Sequence, residues 1–263
     1  MRRQRLALSV VGIPAAVALL IPQGLWVSSR QGMQGYLAFA TALELALLLG
    51  SLLLVLHAGV SIAWERSEKT LRDALAGPVH RGEILFSRWL ALQAEMLLLL
   101  ALVAVLAFAS TLVHYRFEDI RGDAIEPLFY ARELARHTAL GIAYFIPPAF
   151  ALVTLGLLAS VLSASPAMAA TLALGALFCL DISKSVFSSA SGVVPGLFNS
   201  YLPSLFDQTS YLHGVTAMAN GIGDVLWSDT GPERHLGLLV PAAYTAVFLL
   251  VSLAVFSTRD YAE

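Results

Sequence analysis

Several apolar stretches of this chain are long enough to cross a lipid bilayer, and they constrain the fold more than any other feature. A transmembrane helix needs about 20 consecutive apolar residues, and residues 36–63 and 89–113 each exceed that length. The chain of 263 residues is 58% hydrophobic and only 13% charged, whereas soluble domains carry about 25% charged residues. We therefore predict an all-α polytopic membrane protein.

Polar or broken segments divide the apolar stretches into six predicted transmembrane helices, within a single domain at 1–263. The predicted spans are residues 6–25, 36–63, 89–113, 138–162, 167–187 and 237–256. The longer connections are a cytoplasmic loop at 64–88, between spans 2 and 3, and outer loops at 114–137 and 188–236. The second outer loop is rich in Gly, Pro and aromatic residues, and residues 212–219 are its best candidate for a short, re-entrant helix.

The distribution of Lys and Arg predicts the orientation, because cytoplasmic loops carry an excess of basic residues. With the N-terminus inside, nine Lys and Arg residues fall on the cytoplasmic side and six fall outside. Tryptophan favours the membrane–water interface. All four tryptophans lie at predicted span ends: Trp26, Trp64, Trp89 and Trp227. We expect both termini in the cytoplasm.

The loop at 64–88 is the most densely charged segment of the chain, and it contains the start and stop signals of a short helix. Thr70 and Asp73 have the spacing of a capping box. Gly77 followed by Pro78 is a stop signal, since Gly accepts left-handed dihedral angles and Pro cannot continue a helix. These signals predict about two turns of helix at the membrane surface.

Leu71 and Leu75 make the predicted helix amphipathic, because residues four apart lie on one helical face. A short amphipathic helix held by two transmembrane spans is suited to docking into a groove of another protein. The simpler alternative is an ordinary basic loop that follows the topology rule.

This segment resembles the cytoplasmic loop of ABC (ATP-binding cassette) exporter permeases of the type-2 family. The resemblance is carried by Glu65, Arg66, Thr70, Leu71, Leu75, Pro78, Arg81, Gly82, Glu83, Ile84, Leu85 and Arg88. In that family the loop carries the coupling helix that engages the ATPase subunit. The implied coupling residues here are Glu65, Arg66, Thr70, Leu71, Leu75, Pro78, Arg81 and Glu83. Lys69 departs from the family, which usually has Gly before the Thr, so the start of the helix is left open.

The resemblance implies the permease subunit of an ATP-driven exporter in the inner membrane of a prokaryote. Two permease copies, identical or related, would form the translocation path, and spans 1, 2 and 5 would line it. Two partner ATPase subunits would bind ATP and Mg²⁺, and this chain would hold no cofactor or metal. The sequence contains no Gly-x-x-x-x-Gly-Lys-Ser/Thr motif and no catalytic motif of an embedded hydrolase. We therefore expect a transporter subunit rather than an enzyme.

Basic residues are scattered, without the aromatic stripe of a nucleic-acid-binding surface, so the expected contacts are with lipid and protein. Five ionisable residues lie inside predicted spans, where such groups are costly and usually functional. They are Glu44, His57, Glu95, Asp181 and Lys184. His57 and Glu95 lie at similar depth and are predicted to pair across spans 2 and 3, and a structural hydrogen bond is the favoured role.

Asp181 and Lys184 lie three residues apart, on one face of the fifth span and towards its outer end. One hypothesis is that they form the outer gate of the path. In the simpler alternative, Lys184 extends to the outer headgroups. Small residues allow close helix packing, so Ala169, Ala173 and Ala176 form a candidate surface for pairing of two copies. The equally weighted alternative is that alanine is merely common here.

Two other functions remain open at this stage. A proton-coupled secondary transporter would use Glu44, Glu95 or Asp181 as its proton site, although the chain lacks the matching halves with paired broken helices typical of that class. A membrane scaffold that recruits a soluble partner is the third possibility. The sequence leaves the transported substrate open.

The topology can be tested with single cysteines in a Cys179→Ala background. We expect Ala76→Cys to react with an impermeant thiol reagent only in inside-out vesicles, and Ser228→Cys only in intact cells. Labelling of both cysteines from the same side would show that the predicted number of spans is wrong.

Overall fold

The computed structural model of the protein describes residues 2–28, 35–68, 70–71, 80–121, 127–186, 196–205, 210–221 and 233–258. Its α-helices are α1 (Arg2–Ser28), α2 (Gly35–Ser67), α3 (Arg81–His114), α4 (Ala131–Leu162), α5 (Pro166–Val186), α6 (Tyr211–Ala219) and α7 (Glu233–Thr258). The other elements are strands β1 (Ile120–Arg121) and β2 (Pro127–Phe129), and the 3-10 helix η1 (Phe198–Tyr201).

Five of the described helices, α2, α3, α4, α5 and α7, are long and apolar enough to cross a membrane. Their mean hydropathy ranges from 1.6 in α5 to 2.8 in α3. Helix α1 contains a shorter apolar stretch, Ser9–Leu25. The predicted all-α, multi-pass class is therefore confirmed, whereas the first predicted span, at residues 6–25, and with it the total of six spans, stays a prediction.

The helices extend past the predicted spans at both ends of the bundle. Helix α2 continues to Ser67 and α3 begins at Arg81, so the described flanks of the 64–88 segment are helical. The predicted loop at 114–137 instead contains the β1–β2 hairpin and the first turns of α4, which begins at Ala131. Hydropathy marks only where apolar side chains end, whereas a helix continues for as long as its backbone hydrogen bonds are made.

The hairpin between α3 and α4 is connected to the start of α4. Strands β1 and β2 are antiparallel, and Ile120 lies opposite Phe129. At the start of α4 the Asp119 carboxylate accepts a hydrogen bond from the N–H of Ala131, at 2.6 Å. A carboxylate at this position stabilises a helix N-terminus by satisfying an unpaired N–H group. The described part of this connection is therefore fixed to the start of α4.

Helices α2 and α4 form the centre of the bundle. Helix α1 packs on α2 and α3, α5 packs on α2 and α4, and α7 packs on α4. In the most apolar 18-residue window, 67% of α2 and of α4 is buried, compared with 22% of α5 and 11% of α7. The outer faces of α5 and α7 are therefore left to lipid or to other subunits.

Small residues bring the backbones of α2, α4 and α5 close together. A Cβ atom added to Gly156 of α4 would lie 2.7 Å from the carbonyl oxygen of Val55 and 2.8 Å from Cβ of Ala58, both on α2. A Cβ atom added to Gly59 of α2 would lie 2.8 Å from Cβ of Ala173 on α5. Glycine and alanine permit such crossings in lipid, where packing rather than the hydrophobic effect drives helix association.

The small-residue face of α5 is therefore used within the chain, and its prediction as a pairing surface between copies is corrected. Ala169 and Ala173 are completely buried, and they lie against Gly59 of α2. Ala176 is partly buried. The spacing of small residues predicts close approach of another helix, but it contains no information about which helix approaches.

We expect Gly156→Ala to destabilise the protein by about 1–3 kcal/mol, since the new methyl group would overlap the α2 backbone. The measurement is thermal unfolding of the purified full chain in detergent. The matched control is Gly175→Ala on α5, where an added Cβ meets nothing within 4 Å. This control should be neutral, or more stable by up to about 1 kcal/mol, because alanine favours helix. Equal stability of the two variants would contradict the close crossing.

Candidate functional site

One end of the bundle contains both helical flanks of the 64–88 segment, and an ion pair connects them. Glu65, near the end of α2, is 8% exposed and pairs with Arg88 of α3. Next to it, the Arg66 guanidinium donates a hydrogen bond to the carbonyl oxygen of Ser163, in the turn between α4 and α5. Two adjacent residues of α2 therefore fix its position relative to three other helices.

The beginning of the predicted coupling helix is attached to the same end of the bundle. Thr70 and Leu71 are helical, and the Thr70 hydroxyl donates a hydrogen bond to the carbonyl oxygen of Glu65, at 3.1 Å. Asp73, the other member of the predicted capping box, lies outside the described residues. The predicted cap is therefore untested.

Leu71 does not face a partner, and this corrects the prediction that it docks into one. Its side chain is 2% exposed and belongs to the main hydrophobic cluster of the chain. An apolar side chain at the end of a bundle is stabilised by burial against the nearest apolar surface, which here is the chain itself. Leu75 and Pro78, the other apolar residues assigned to the coupling surface, lie outside the described residues.

Three predicted coupling residues remain accessible at this end: Thr70, Arg81 and Glu83 are exposed. The Arg81 guanidinium reaches the carbonyl oxygen of Ser257 near the end of α7, at 3.5 Å. Glu83 lies in the first turn of α3. The predicted coupling residues therefore separate into a buried set that joins the helices and an exposed set available to a partner.

The predicted contact between His57 and Glu95 is present. His57 Nε2 of α2 lies 3.0 Å from Glu95 Oε2 of α3, with side-chain exposures of 9% and 47%. The other ring nitrogen of His57, Nδ1, is buried without a hydrogen-bond partner in the described part of the chain. This pair joins α2 to α3 in the middle of the bundle.

Glu44 forms a second carboxylate–histidine pair, which sequence reasoning missed. Glu44 Oε1 of α2 lies 3.0 Å from His213 Nδ1 of α6. The hydroxyl of Thr216, also on α6, donates to Glu44 Oε2 at 3.1 Å. His213 and Thr216 are three residues apart on a mostly apolar helix, so they lie on one face. This shared polar face was the signal in the sequence that could have indicated a buried polar contact.

Helix α6 is also fixed to α4. Its position at Tyr211–Ala219 confirms the short helix predicted at 212–219. His137 Nδ1 of α4 lies 2.7 Å from the Tyr211 hydroxyl, and the rings of Tyr144 and Tyr211 lie 5.4 Å apart. Gly141 allows this packing, because a Cβ atom there would lie 2.9 Å from Cδ2 of Leu212.

Asp181 and Lys184 both contact the segment that follows α5. The Asp181 carboxylate accepts hydrogen bonds from the Ser204 hydroxyl, at 2.5 Å, and from the N–H of Leu205, at 3.1 Å. Lys184 is completely buried and donates to the carbonyl oxygen of Leu202, at 3.4 Å. The alternative in which Lys184 extends to lipid headgroups is therefore wrong. The outer-gate role stays a prediction.

The described residues contain no group of three or more His, Cys, Asp or Glu side chains able to hold a metal ion. Their polar contacts instead connect helices, at the 64–88 end, in the middle of α2 and around α6.

Comparison with known families identifies the class of protein. A family model described as ABC-2 family transporter protein matches residues 13–261. The chain belongs to the ABC-2 transporter family. It is therefore a membrane permease component of an ABC transporter, is not itself catalytic, and has an ABC ATPase subunit as its implied partner. A search of curated proteins gave no match.

We expect Glu44→Leu to loosen α6, because His213 and Thr216 would lose their shared acceptor. Hydrogen–deuterium exchange of the α6 amides should accelerate about tenfold, which corresponds to a loss of about 1.4 kcal/mol. The matched control is Glu95→Leu, since Glu95 pairs with His57 away from α6 and its loss should leave α6 exchange unchanged. Unchanged exchange in Glu44→Leu would contradict a stabilising role for this contact.

Proposed function

We propose that this chain is the permease subunit of an ATP-driven exporter. Two copies, or one copy and a related half, form the translocation path, and two ATPase subunits dock against the 64–88 segment. The partner subunits bind ATP and Mg²⁺, and this chain converts their movement into movement of its helices. The proposal goes further than the family membership. It is supported by the contacts at the ends of α2 and α3.

The observation that carries the proposal is the connection of Glu65 to Arg88 and of Arg66 to the Ser163 carbonyl oxygen. Both contacts lie at the flank of the segment that would receive the ATPase. A displacement of that segment therefore acts on α2 and α3 together, and through Ser163 on the turn between α4 and α5. Partly buried contacts of charged side chains are suited to this task, because separating them leaves a charge without its partner.

The proposed path between two copies involves α1, α2 and α5, which correspond to the three spans that line it in the family. Helix α5 leaves a broad apolar face for a second copy, since Met168 is 55% exposed, Leu172 41% and Ile182 50%. Asp181 and Lys184, at the outer end of α5, are the proposed gate. The face occupied by Ala169 and Ala173 is excluded from this contact, because it is buried against α2.

The proposed location is the inner membrane of a prokaryote, with both termini and the 64–88 segment in the cytoplasm. The excess of Lys and Arg on the predicted inner side supports this orientation. The contact between Arg81 and Ser257 supports it as well, because it brings the end of α7 to the same side as the 64–88 segment.

A proton-coupled transporter is the second candidate, and one observation favours it. Glu44 and Glu95 each pair with a histidine, and carboxylate–histidine pairs occur in the proton relays of pumps and transporters. The energy source separates the two candidates. Transport that requires the partner's ATP hydrolysis and survives a protonophore supports the exporter, whereas transport that stops with the protonophore supports the alternative.

The docking surface is tested by reversing the charge of Glu83, an exposed residue in the first turn of α3. We expect Glu83→Lys, alone or combined with Leu75→Asp, to reduce co-purification of the ATPase at least tenfold, because each change places a new charge in the proposed docking surface. A tenfold loss corresponds to about 1.4 kcal/mol of binding free energy. Leu71 is left unchanged, since its burial within the chain makes Leu71→Asp a folding variant.

The matched control is Glu118→Lys, which makes the same charge change at an exposed residue near the outer hairpin. This variant should retain the ATPase, and both variants should enter the membrane at normal levels. Full retention of the ATPase by Glu83→Lys combined with Leu75→Asp would contradict docking at the 64–88 segment.

A further inference from the structure

Helix α6 is held against the bundle by polar contacts at three of its side chains, and two of these contacts involve a histidine. His213 and Thr216 meet Glu44 of α2, and Tyr211 meets His137 of α4. Histidine is the side chain whose charge changes between about pH 5 and about pH 8, whereas burial of apolar side chains does not depend on pH in this range. The attachment of α6 can therefore respond to pH. Its buried apolar side chains include Leu212, Val215 and Met218.

Both carboxylate oxygens of Glu44 accept a hydrogen bond from α6. Oε1 lies 3.0 Å from His213 Nδ1, and Oε2 lies 3.1 Å from the Thr216 hydroxyl. A carboxylate that accepts at both oxygens is ionised, so we assign a hydrogen to Nδ1 of His213. The side chains of His213 and Glu44 are 26% and 20% exposed, which leaves the pair accessible to protons from solvent.

A further proton on the His213 ring changes the charge of this pair. With a neutral imidazole the pair carries one negative charge, and with an imidazolium it is neutral as a whole. Charge-assisted hydrogen bonds are about twice as strong as bonds between neutral groups, and a charge without its counter-charge is costly away from water. Uptake of the proton therefore tightens the contact between α6 and α2, and loss of the proton weakens it.

The other titratable groups around α6 lie in different surroundings. The described partner of His137 is the Tyr211 hydroxyl, at 2.7 Å, which can donate or accept, so this contact persists in either charge state of the ring. Tyr144 of α4 stacks on Tyr211, and Tyr36 of α2 packs in the cluster that contains Ala219. The charged groups described in the first turns of α4 and at the hairpin are exposed or bonded elsewhere: Arg132, Glu133, Arg136, Arg116, Glu118 and Asp119.

We propose that the Glu44–His213 pair is a proton-dependent lock that holds α6 on α2. At mildly acidic pH the ion pair holds α6 tightly, and as the pH rises the imidazolium loses its proton and the lock loosens. Because α6 lies in the predicted outer loop at 188–236, the pH of the outer compartment sets the state of the lock. This inference goes beyond the proposed function, since the lock needs only a bound proton. It requires neither ATP nor a partner subunit, and the proton does not cross the membrane.

The test is hydrogen–deuterium exchange of the α6 amides, measured on the full chain in phosphatidylcholine nanodiscs at about pH 5.5 and about pH 8. Each rate is divided by the intrinsic rate of an unstructured peptide at the same pH, which gives a protection factor. We expect the protection of α6 in the native chain to be about tenfold greater at the acidic pH, because the hydrogen bond becomes charge-assisted.

His213→Gln keeps a donor for Glu44 but cannot change its charge, so its protection factor should be the same at both pH values. The matched control is His137→Gln, which makes the same change at the other histidine that contacts α6 and should keep the native response. Glu44→Gln should gain no protection at the acidic pH, because the imidazolium would then have no counter-charge.

Equal protection at the two pH values in the native chain, or a native response in His213→Gln, would overturn the proposal. Loss of the response in His137→Gln would overturn it as well, since the response would then belong to the other histidine. If His213→Gln does not fold, Glu44→Gln decides, and a native gain of protection in that variant rejects the lock. None of these measurements involves the ATPase, so the lock and the proposed docking can fail separately.

Discussion

The close crossing of α2 and α4 is the constraint on which the rest of the structure depends. Gly156 brings α4 against the α2 backbone near Ala58 and Val55. One turn further, the Ser160 hydroxyl accepts hydrogen bonds from two consecutive N–H groups of α2, at 3.0 and 2.9 Å. Lipid is as apolar as a leucine side chain, so close packing and hydrogen bonds hold these helices together. No larger residue than glycine fits at the crossing without displacing a helix.

Once α2 is fixed at the centre, it connects the polar contacts of the whole bundle. It carries Glu44 towards α6, His57 towards Glu95 of α3, and Glu65 towards Arg88 at the 64–88 end. Glu44 and Glu65 are about 30 Å apart along the helix, at 1.5 Å per residue. A shift of α2 against α4 would therefore change all three contacts, so α2 connects the 64–88 end of the bundle with helix α6.

Several features could be predicted because they depend on local sequence or on depth in the membrane. The long apolar stretches predict the helices, and the Trp and charged residues predict their approximate ends. The pairing of His57 with Glu95 followed from similar depth on consecutive helices. By contrast, the ends of the helices at Ala131 and Ser67 were not predicted, because a charged residue ends an apolar stretch without ending the helix.

The sequence by itself determined the all-α membrane class and the family-like 64–88 segment, since both are encoded in neighbouring residues. Only the tertiary structure decided which distant side chains meet. His213 lies 169 residues from Glu44, and no periodicity connects them. Leu71 has the pattern of a docking residue, yet it is buried in the hydrophobic cluster of its own chain. Ala169 and Ala173 of α5 are buried and lie against Gly59 of α2. Apolar and small residues specify that a surface is covered, whereas the arrangement of the helices specifies what covers it.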